Sequence, residues 1–190
     1  MAAQAPRKST KTVVRLRIAL MEHTPTIWRR LLVPGEIKLA KVHDIFQAAM
    51  AGWLDYHLHC FEIDGQRYGT PDPNWELDDI DEQGVVFTDA VKERTRFVYE
   101  YDFGDSWRHE VVVESIEPVP LVLKFAVCLD GQRACPPEDC GGVHGYAQLL
   151  EAIADPDHEE FDDYVGWVGG YFDPEAFDLA AVNAALQRVR

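Results

Sequence analysis

The sequence lacks any apolar run that approaches the roughly 18 residues needed to span a membrane. The segment from Met1 to Lys11 is polar and has no apolar core of signal-peptide length. These two absences predict a protein without membrane association and with a cytoplasmic location. Cysteine is also scarce, with 4 in 190 residues, and in a cytoplasmic chain we expect free thiols rather than disulfides.

Basic residues are few beyond the beginning of the chain. The sequence has 18 Lys and Arg against 33 Asp and Glu, which gives a formal net charge of −15. Nine of the basic side chains lie within residues 1–43, and only nine remain against 31 acidic ones afterwards. Because an acidic surface repels a phosphate backbone, we expect no tight binding of duplex DNA by the folded domain. Contact with nucleic acid through the basic N-terminal stretch is a remaining alternative.

Familiar catalytic motifs are missing as well. The sequence contains no nucleotide-binding glycine loop, no GxSxG elbow and no HExxH helix. This absence and the net acidity favour a non-enzymatic binding or accessory protein with an unknown protein partner and no cofactor. Two alternatives remain. One is a metal-dependent hydrolase with a carboxylate and histidine site for a divalent metal ion, and the other is a zinc-stabilised interaction module.

Apolar residues make up 47% of the chain, which is enough to build the core of one domain. Residues 1–12 are predicted to form a disordered basic tail, and residues 13–190 a single domain. The order of the patterns is strands, a helix, strands and then helices. It predicts an α+β fold, with a mostly antiparallel sheet, one helix between the N-terminal strands and a C-terminal helical segment.

Hydrophobic periodicity places the individual elements. The residues Asp64-Gly65 are a strong signal for a two-residue hairpin turn. Asp155-Pro156 and Asp173-Pro174 each resemble the start of a helix, with Asp as the N-cap. The predicted strands are Val14–Leu20, Ile27–Val33, Leu58–Ile63, Gln66–Gly69 and Leu121–Val127, and the first predicted helix is Leu39–Met50.

A further hairpin is predicted around the turn Gly104-Asp105-Ser106. Alternation on both sides of this turn gives one aromatic face and one charged face. The aromatic face, which includes Trp107, is expected to pack beneath the first helix against Phe46 and Met50. The expected cross-strand pairs are Phe103 with Trp107, Tyr101 with His109, Tyr99 with Val111 and Asp102 with Arg108.

Cysteines near the C-terminal helices offer a second candidate site. Cys128, Cys135, Cys140 and His144 form a complete set of zinc ligands, but their spacing matches no zinc motif known to us. Because Cys128 follows an apolar strand and the domain is large enough to fold without metal, we expect no zinc site here. Cys140-Gly141-Gly142 precedes a helix, where backbone amides could hold an anion and lower the pKa of the thiol.

Two histidines, His57 and His59, are predicted at the start of a strand. Residues two apart share one face of a strand, so both rings could reach one ligand. A structural role in the core is the favoured interpretation for this pair.

Four segments together resemble a known family. They are Ile27-Trp28-Arg29-Arg30 with Val33-Pro34, Gly52-Trp53 with His57-Leu58-His59-Cys60-Phe61, Tyr101-Asp102-Phe103-Gly104-Asp105-Ser106-Trp107-Arg108-His109, and Cys135-Pro136-Pro137-Glu138-Asp139-Cys140-Gly141-Gly142 with Gly145-Tyr146. In this order they are similar to the plasmid pRiA ORF-three-like family, also described as passenger proteins of insertion sequences and labelled TnpR. The resemblance covers nearly the whole chain.

The resemblance implies an association with plasmids and transposable elements, and it assigns no biochemical activity. The TnpR label suggests a resolvase, but the resemblance offers no catalytic serine in this sequence. We therefore do not expect this chain to have resolvase activity. Five polar residues of the shared motifs become candidates for one site: Asp102, Asp105, His109, Glu138 and Asp139. Carboxylates with a histidine can bind a divalent metal or act as acid and base. The family also implies that Cys140 is replaceable, which argues against zinc.

Overall fold

The computed structural model describes residues 11–50, 52–72, 78–121 and 123–189. It confirms the α+β prediction, because eight strands form one sheet in the order β5-β4-β3-β6-β7-β1-β2-β8 and every neighbouring pair except β4–β5 is antiparallel. The strands are β1 (Thr12–Leu20), β2 (Trp28–Pro34), β3 (His59–Ile63), β4 (Gln66–Gly69), β5 (Ile80–Asp81), β6 (Arg96–Tyr101), β7 (Trp107–Pro118) and β8 (Val127–Gln132). The helices are α1 (Leu39–Met50), α2 (Phe87–Ala90), α3 (Gly142–Ala154), α4 (Phe161–Trp167) and α5 (Leu179–Leu186).

The N-terminal elements agree closely with the sequence patterns. In β1 the apolar residues Val14, Leu16 and Ile18 are buried and alternate with arginines, as expected for a strand with one face in the core. Residues 1–10 of the predicted tail lie outside the described residues, and Thr12 already belongs to β1. The turn Asp64-Gly65 joins β3 to β4 with positive φ at both residues, as a two-residue hairpin requires.

Helix α1 lies against the inner face of the sheet and closes the core. Its apolar residues recur at helical spacing, and the Phe46 ring meets Tyr99 of β6 edge to face, with 5.2 Å between centroids. The predicted aromatic face is buried at Phe97, Tyr99, Tyr101 and Trp107. Phe103 is only half-buried and lies outside the strands, so its placement in that face was wrong.

The predicted register of the β6–β7 hairpin was also wrong. Tyr101 pairs with Trp107, Tyr99 with His109 and Glu100 with Arg108, because the connecting loop contains five residues rather than three. The loop starts at Asp102, whose φ of 57° takes the chain out of the strand, while its N–H donates to the Leu58 carbonyl. A shift of two residues preserves the face of every side chain, which is why the aromatic face was still predicted correctly.

The strand and helix boundaries near the C-terminus differ from the predictions. The strand expected over Leu121–Val127 begins at Val127, and Leu121 is exposed. Asp155 and Asp173 accept hydrogen bonds from the amides two residues later, which makes turns rather than helix starts. The N-cap of α5 is instead Asp178, which accepts from the amides of Ala180 and Ala181.

The helices that follow β8 cover one end of the sheet. Helix α3 contributes Tyr146 and Leu149 to the core, and α5 packs against both α1 and β8. Within the described part of the chain, no helix is both long and apolar enough to cross a membrane.

Candidate metal centre

Three distant segments meet at the end of the sheet where the β6–β7 loop lies. They contribute His57 from the loop before β3, Asp102 from the β6–β7 loop, and Asp139 from the segment between β8 and α3. The His57 Nε2 atom lies 3.1 Å from Asp139 Oδ1 and 3.6 Å from Asp102 Oδ2. One donor atom from each of these residues lies within 4.8 Å of the others. We call this group the His57 cluster.

Each carboxylate of the His57 cluster has one oxygen held by a donor and the other directed to His57. Asp102 Oδ1 accepts the Gly104 N–H at 2.9 Å, which leaves Oδ2 facing the imidazole. Asp139 Oδ2 accepts the hydroxyl hydrogen of Tyr56, which leaves Oδ1 facing the same ring. The hydrogen bond to Asp139 is the main reason why the pKa of Tyr56 is raised to about 12. Partners of this kind fix the orientation of metal ligands.

Glu138 adds a third carboxylate beside the His57 cluster. Its Oε1 lies 3.9 Å from His57 Nε2 and accepts the Tyr101 hydroxyl at 2.6 Å. Its Oε2 accepts the Leu54 N–H. Burial first, and then the hydrogen bond to Glu138, raise the pKa of Tyr101 well above the ordinary value, so this hydroxyl stays a hydrogen-bond donor.

The geometry of the His57 cluster suits a divalent cation. Two ligands about 2.1 Å from one ion lie roughly 3.0–3.5 Å apart, close to the separations around His57 Nε2. The side chains of Asp102 and Glu138 are only 8% and 9% exposed, while Asp139 is 56% exposed and opens the group to solvent. Oxygen-rich sets with one imidazole suit ions such as Mn²⁺ or Zn²⁺.

The backbone is unusual at both aspartates of the His57 cluster. Asp102 and Asp139 have φ values of 57° and 56°, in the left-handed region. Aspartate enters this region more readily than most residues, and such conformations concentrate at functional sites.

Asp105, another predicted site residue, has a structural contact instead. Its Oδ2 accepts the Gly141 N–H at 3.1 Å, which ties the β6–β7 loop to the start of α3. A Cβ at Gly142 would lie 2.4 Å from the Asp105 carbonyl oxygen, so only glycine allows this approach. The anion-binding role considered for the Cys140-Gly141-Gly142 turn is not supported, because the Gly141 amide is already paired. Burial raises the pKa of Cys140 to about 12 instead of lowering it.

His109 does not join the His57 cluster, which corrects its place among the candidates. It is fully buried, its Nδ1–H donates to the Trp107 carbonyl at 3.0 Å, and it packs against Trp53 and Tyr99. Burial lowers its pKa to about 4, so the ring is neutral at pH 7.

His57 and His59 do not share a ligand, and the structural interpretation is correct for His59. The His59 ring stacks on His43 with centroids 3.4 Å apart, and its Nε2 lies 2.9 Å from Glu82 Oε2. His43 in turn bridges the Tyr99 hydroxyl and Asp55, and burial is the main cause of its lowered pKa. His57 precedes β3, so the face-sharing argument did not apply to it.

The four residues considered as zinc ligands are not brought together. In the described ranges, three groups of at least three metal-donor side chains lie close together, and none contains Cys128, Cys135, Cys140 or His144. The Cys128 thiol donates to the Asp130 carbonyl at 3.4 Å, and Cys135 is buried with a raised pKa. His144 is exposed within the first turn of α3, whereas it was predicted just before the helix.

A cleft of about 710 Å³ adjoins the His57 cluster. Its lining includes Tyr56, Glu138 and Asp139 together with residues of α4, of α5 and of the segment between these helices. The carboxylates of Asp139 and Glu138 are therefore accessible from a space large enough for a small molecule.

The fold and the site together define an α+β protein with an antiparallel sheet and a carboxylate–imidazole cluster beside a cleft. Residues 12–181 match the family described as "Plasmid pRiA4b ORF-3-like protein", and the chain belongs to this family. It is 36% identical over 178 residues to the uncharacterised protein y4hQ of Sinorhizobium fredii, covering 92% of this chain and 91% of that protein. It is also similar to the crystal structure of a protein of unknown function, MM3350 from Methanosarcina mazei Go1. That match has a TM-score of 0.82 and 36% identity, over 90% of this chain and 98% of the other.

Proposed function

We propose that this protein binds a divalent metal ion through His57, Asp102 and Asp139, and that it is a metal-dependent hydrolase. The observation that carries the proposal is the convergence of three carboxylates on one imidazole nitrogen, at 3.1, 3.6 and 3.9 Å. A protonated His57 alone would leave this group with a net negative charge. A divalent cation balances the charge of two carboxylates and satisfies the remaining lone pairs.

The location of the ligands supports the same conclusion. They come from three of the four segments that carry the family resemblance, which lie far apart in the sequence and meet at one point of the fold. Tyr56 and Gly104 hold the outer oxygens of Asp139 and Asp102, and the Leu54 N–H holds the outer oxygen of Glu138. A metal-bound water with a lowered pKa is the usual hydrolytic nucleophile of such sites, and the adjoining cleft gives a substrate access to it.

A non-enzymatic binding or accessory protein, linked to mobile elements as the resemblance implies, is the second candidate. Both oxygens of Glu138 accept hydrogen bonds, so this carboxylate is poorly placed to act as the general base of a hydrolase. This observation favours the non-enzymatic candidate. Metal binding is common to both candidates, and only turnover separates them.

The test is a Mn²⁺ titration of the metal-free protein, followed by water proton relaxation or calorimetry. We expect one equivalent to bind. Tyr56→Phe removes a hydrogen-bond partner of Asp139 and should weaken Mn²⁺ binding by roughly 10–100-fold. His57→Ala and Asp102→Asn each remove a ligand and should weaken Mn²⁺ binding more than that. His144→Ala is the matched control, because this exposed histidine lies outside the cluster. Equal Mn²⁺ affinity of the wild type and His57→Ala would refute the site.

Hydrolysis is tested separately on the Mn²⁺-loaded protein with chromogenic esters, amides and phosphate esters. We expect turnover of at least one of these classes that is lost in His57→Ala and kept in His144→Ala. Stoichiometric metal binding without turnover of any class would favour the accessory protein.

A further inference from the structure

We infer that the cleft beside the His57 cluster binds uncharged carbonyl compounds with an apolar, ring-bearing body, and that the carbonyl oxygen faces the metal ion. This inference rests on the proposed function, because the metal supplies the binding site for the oxygen. It adds a ligand class that the metal site alone does not specify.

The size and walls of the cleft indicate the apolar body. Its volume of about 710 Å³ lies within the roughly 300–1,000 Å³ typical of small-molecule sites. The aromatic wall consists of Trp167, Phe172 and Phe177, and Met50 and Pro136 also line the cleft. Trp167 is 50% exposed, which is unusual for so large an apolar side chain. A planar ring bound against it would remove apolar surface of both partners from water.

One end of the cleft reaches the metal ligands. Tyr56, Glu138 and Asp139 belong both to the cleft lining and to the His57 cluster with its hydrogen-bonded partners. Asp139 is the most exposed of the proposed ligands, so a head group would approach a bound ion from the side of this residue. A ligand therefore needs a polar atom at one end and an apolar body behind it.

Charge selects an uncharged head group over an anionic one. Asp102 and Asp139 already neutralise a divalent ion, and Glu138 adds a further negative charge. A second pocket that shares Asp139 and Trp167 also presents Glu160 and Asp163. These carboxylates repel a phosphate or phosphonate, whereas a carbonyl oxygen is attracted and polarised by the metal without adding charge.

The guanidinium of Arg29, which belongs to the cleft lining, does not attract an anionic head group. Arg29 is 2% exposed and donates four hydrogen bonds to the backbone carbonyls of Ala49, Trp28, Gln132 and Arg133. Its Cζ lies 4.7 Å from the centre of the Phe177 ring. Because its donors are used in these contacts, Arg29 has a structural role and does not bind an anionic ligand.

The test measures binding of three probes to the Mn²⁺-saturated full-length protein by calorimetry. Benzamide carries a ring and an uncharged carbonyl head, acetamide lacks the ring, and phenylphosphonate replaces the head with an anion. We expect benzamide to bind at least about tenfold more tightly than acetamide, because the ring is buried. It should also bind more tightly than phenylphosphonate.

The variant Trp167→Ala should reduce the preference for the ring while leaving Mn²⁺ binding unchanged. Tyr171→Ala is the matched control, since Tyr171 is 81% exposed and does not line the cleft. Equal affinities of benzamide and acetamide in the wild type, or equal affinities of phenylphosphonate and benzamide, would overturn the inference and leave the metal site standing. Failure of Mn²⁺ to bind at all would instead overturn the proposed function, and the inference with it.

Discussion

Individual histidines in this protein show how the surroundings decide the role of a side chain. His57 is partly exposed among three carboxylates, whereas His109 is sealed between aromatic rings and accepts no hydrogen bond at Nε2 from the described residues. His43 and His59 stack together and are each paired with a separate carboxylate. The residue type is the same in all four cases. Among these four, His57 alone combines solvent access with several nearby carboxylates, as a metal ligand requires.

The buried His109 should make the protein sensitive to acid. Its pKa is lowered to about 4 in the folded state from an ordinary value of 6.5, so protonation favours unfolding. Stability from this residue is complete above pH 6.5 and is lost as the pH falls towards 4, by about 3 kcal/mol. The measurement is urea unfolding at pH 7.0 and 4.5 for the wild type and for His109→Asn, which keeps a donor for the Trp107 carbonyl.

We expect the difference in unfolding free energy between the two pH values to be smaller in His109→Asn by about 2 kcal/mol. Carboxylates contribute equally to both proteins and therefore cancel in this comparison. The same pH dependence in both proteins would contradict a neutral, buried His109.

At the scale of elements, the β6–β7 loop and the segment leading into α3 form one unit that carries two of the three proposed metal ligands. Asp105 holds the Gly141 amide, and Gly142 allows the two backbones to approach closely. Asp102 lies at the start of the same loop, and Asp139 precedes α3 by three residues. The contact between these elements therefore fixes the distance between two ligands of the His57 cluster.

Gly142→Ala should destabilise this contact. The new Cβ would meet the Asp105 carbonyl oxygen at 2.4 Å and would sit at a φ of 68°, which L-residues rarely adopt. We expect a loss of about 1–3 kcal/mol in the unfolding free energy, measured by chemical denaturation. The matched control is Gly166→Ala in α4, where a Cβ meets nothing within 4 Å and the change should be neutral or slightly stabilising.

Comparison of the two glycine variants shows whether the loss of stability comes from the contact between the β6–β7 loop and α3 or from any replacement of glycine by alanine. If Gly142→Ala were as stable as Gly166→Ala, the close approach of the loop to α3 would not exist in solution. Weaker Mn²⁺ binding by Gly142→Ala than by Gly166→Ala would link the contact to the metal centre.

At the scale of the whole molecule, charge separates the beginning of the chain from the rest. The net charge is −15, and 31 of the 33 acidic residues follow residue 43. Arg17 and Arg30 lie on neighbouring strands with their guanidinium carbons 5.1 and 5.5 Å from the Trp28 ring. Arg30 is also paired with Glu114, at 3.0 Å. The net acidity of the molecule is compatible with binding a cation.

We predict that the protein does not bind duplex DNA tightly at physiological salt. The acidic surface opposes the phosphate backbone, and binding through the basic N-terminal stretch should weaken steeply as salt is raised. An electrophoretic shift assay of the full chain and of a variant without residues 1–10 checks this. Nanomolar affinity of the shortened chain would contradict the prediction, while loss of weak binding on shortening would assign it to the basic stretch.

The sequence by itself determined the α+β class, the alternation of β1, helix α1 and the Asp64-Gly65 hairpin. These features depend on local periodicity and on turn residues that act within a few positions. It also determined which faces of β6 and β7 are buried, because an error of two residues in the register leaves every side chain on the same face of the sheet. The register itself was missed, since the five-residue loop depends on the bond from the Asp102 N–H to Leu58, which is distant in sequence.

Only the tertiary structure decided the composition of the site. Asp102, Glu138 and Asp139 were predicted together through the family resemblance, but His109 was named in place of His57. The alternation along β7 already placed His109 on the buried face, but no periodicity shows that the loop before β3 brings His57 to the carboxylates. The cleft likewise depends on how α4 and α5 pack beside the Cys135–Asp139 segment. Long-range packing sets such distances, and no local pattern of residues encodes them.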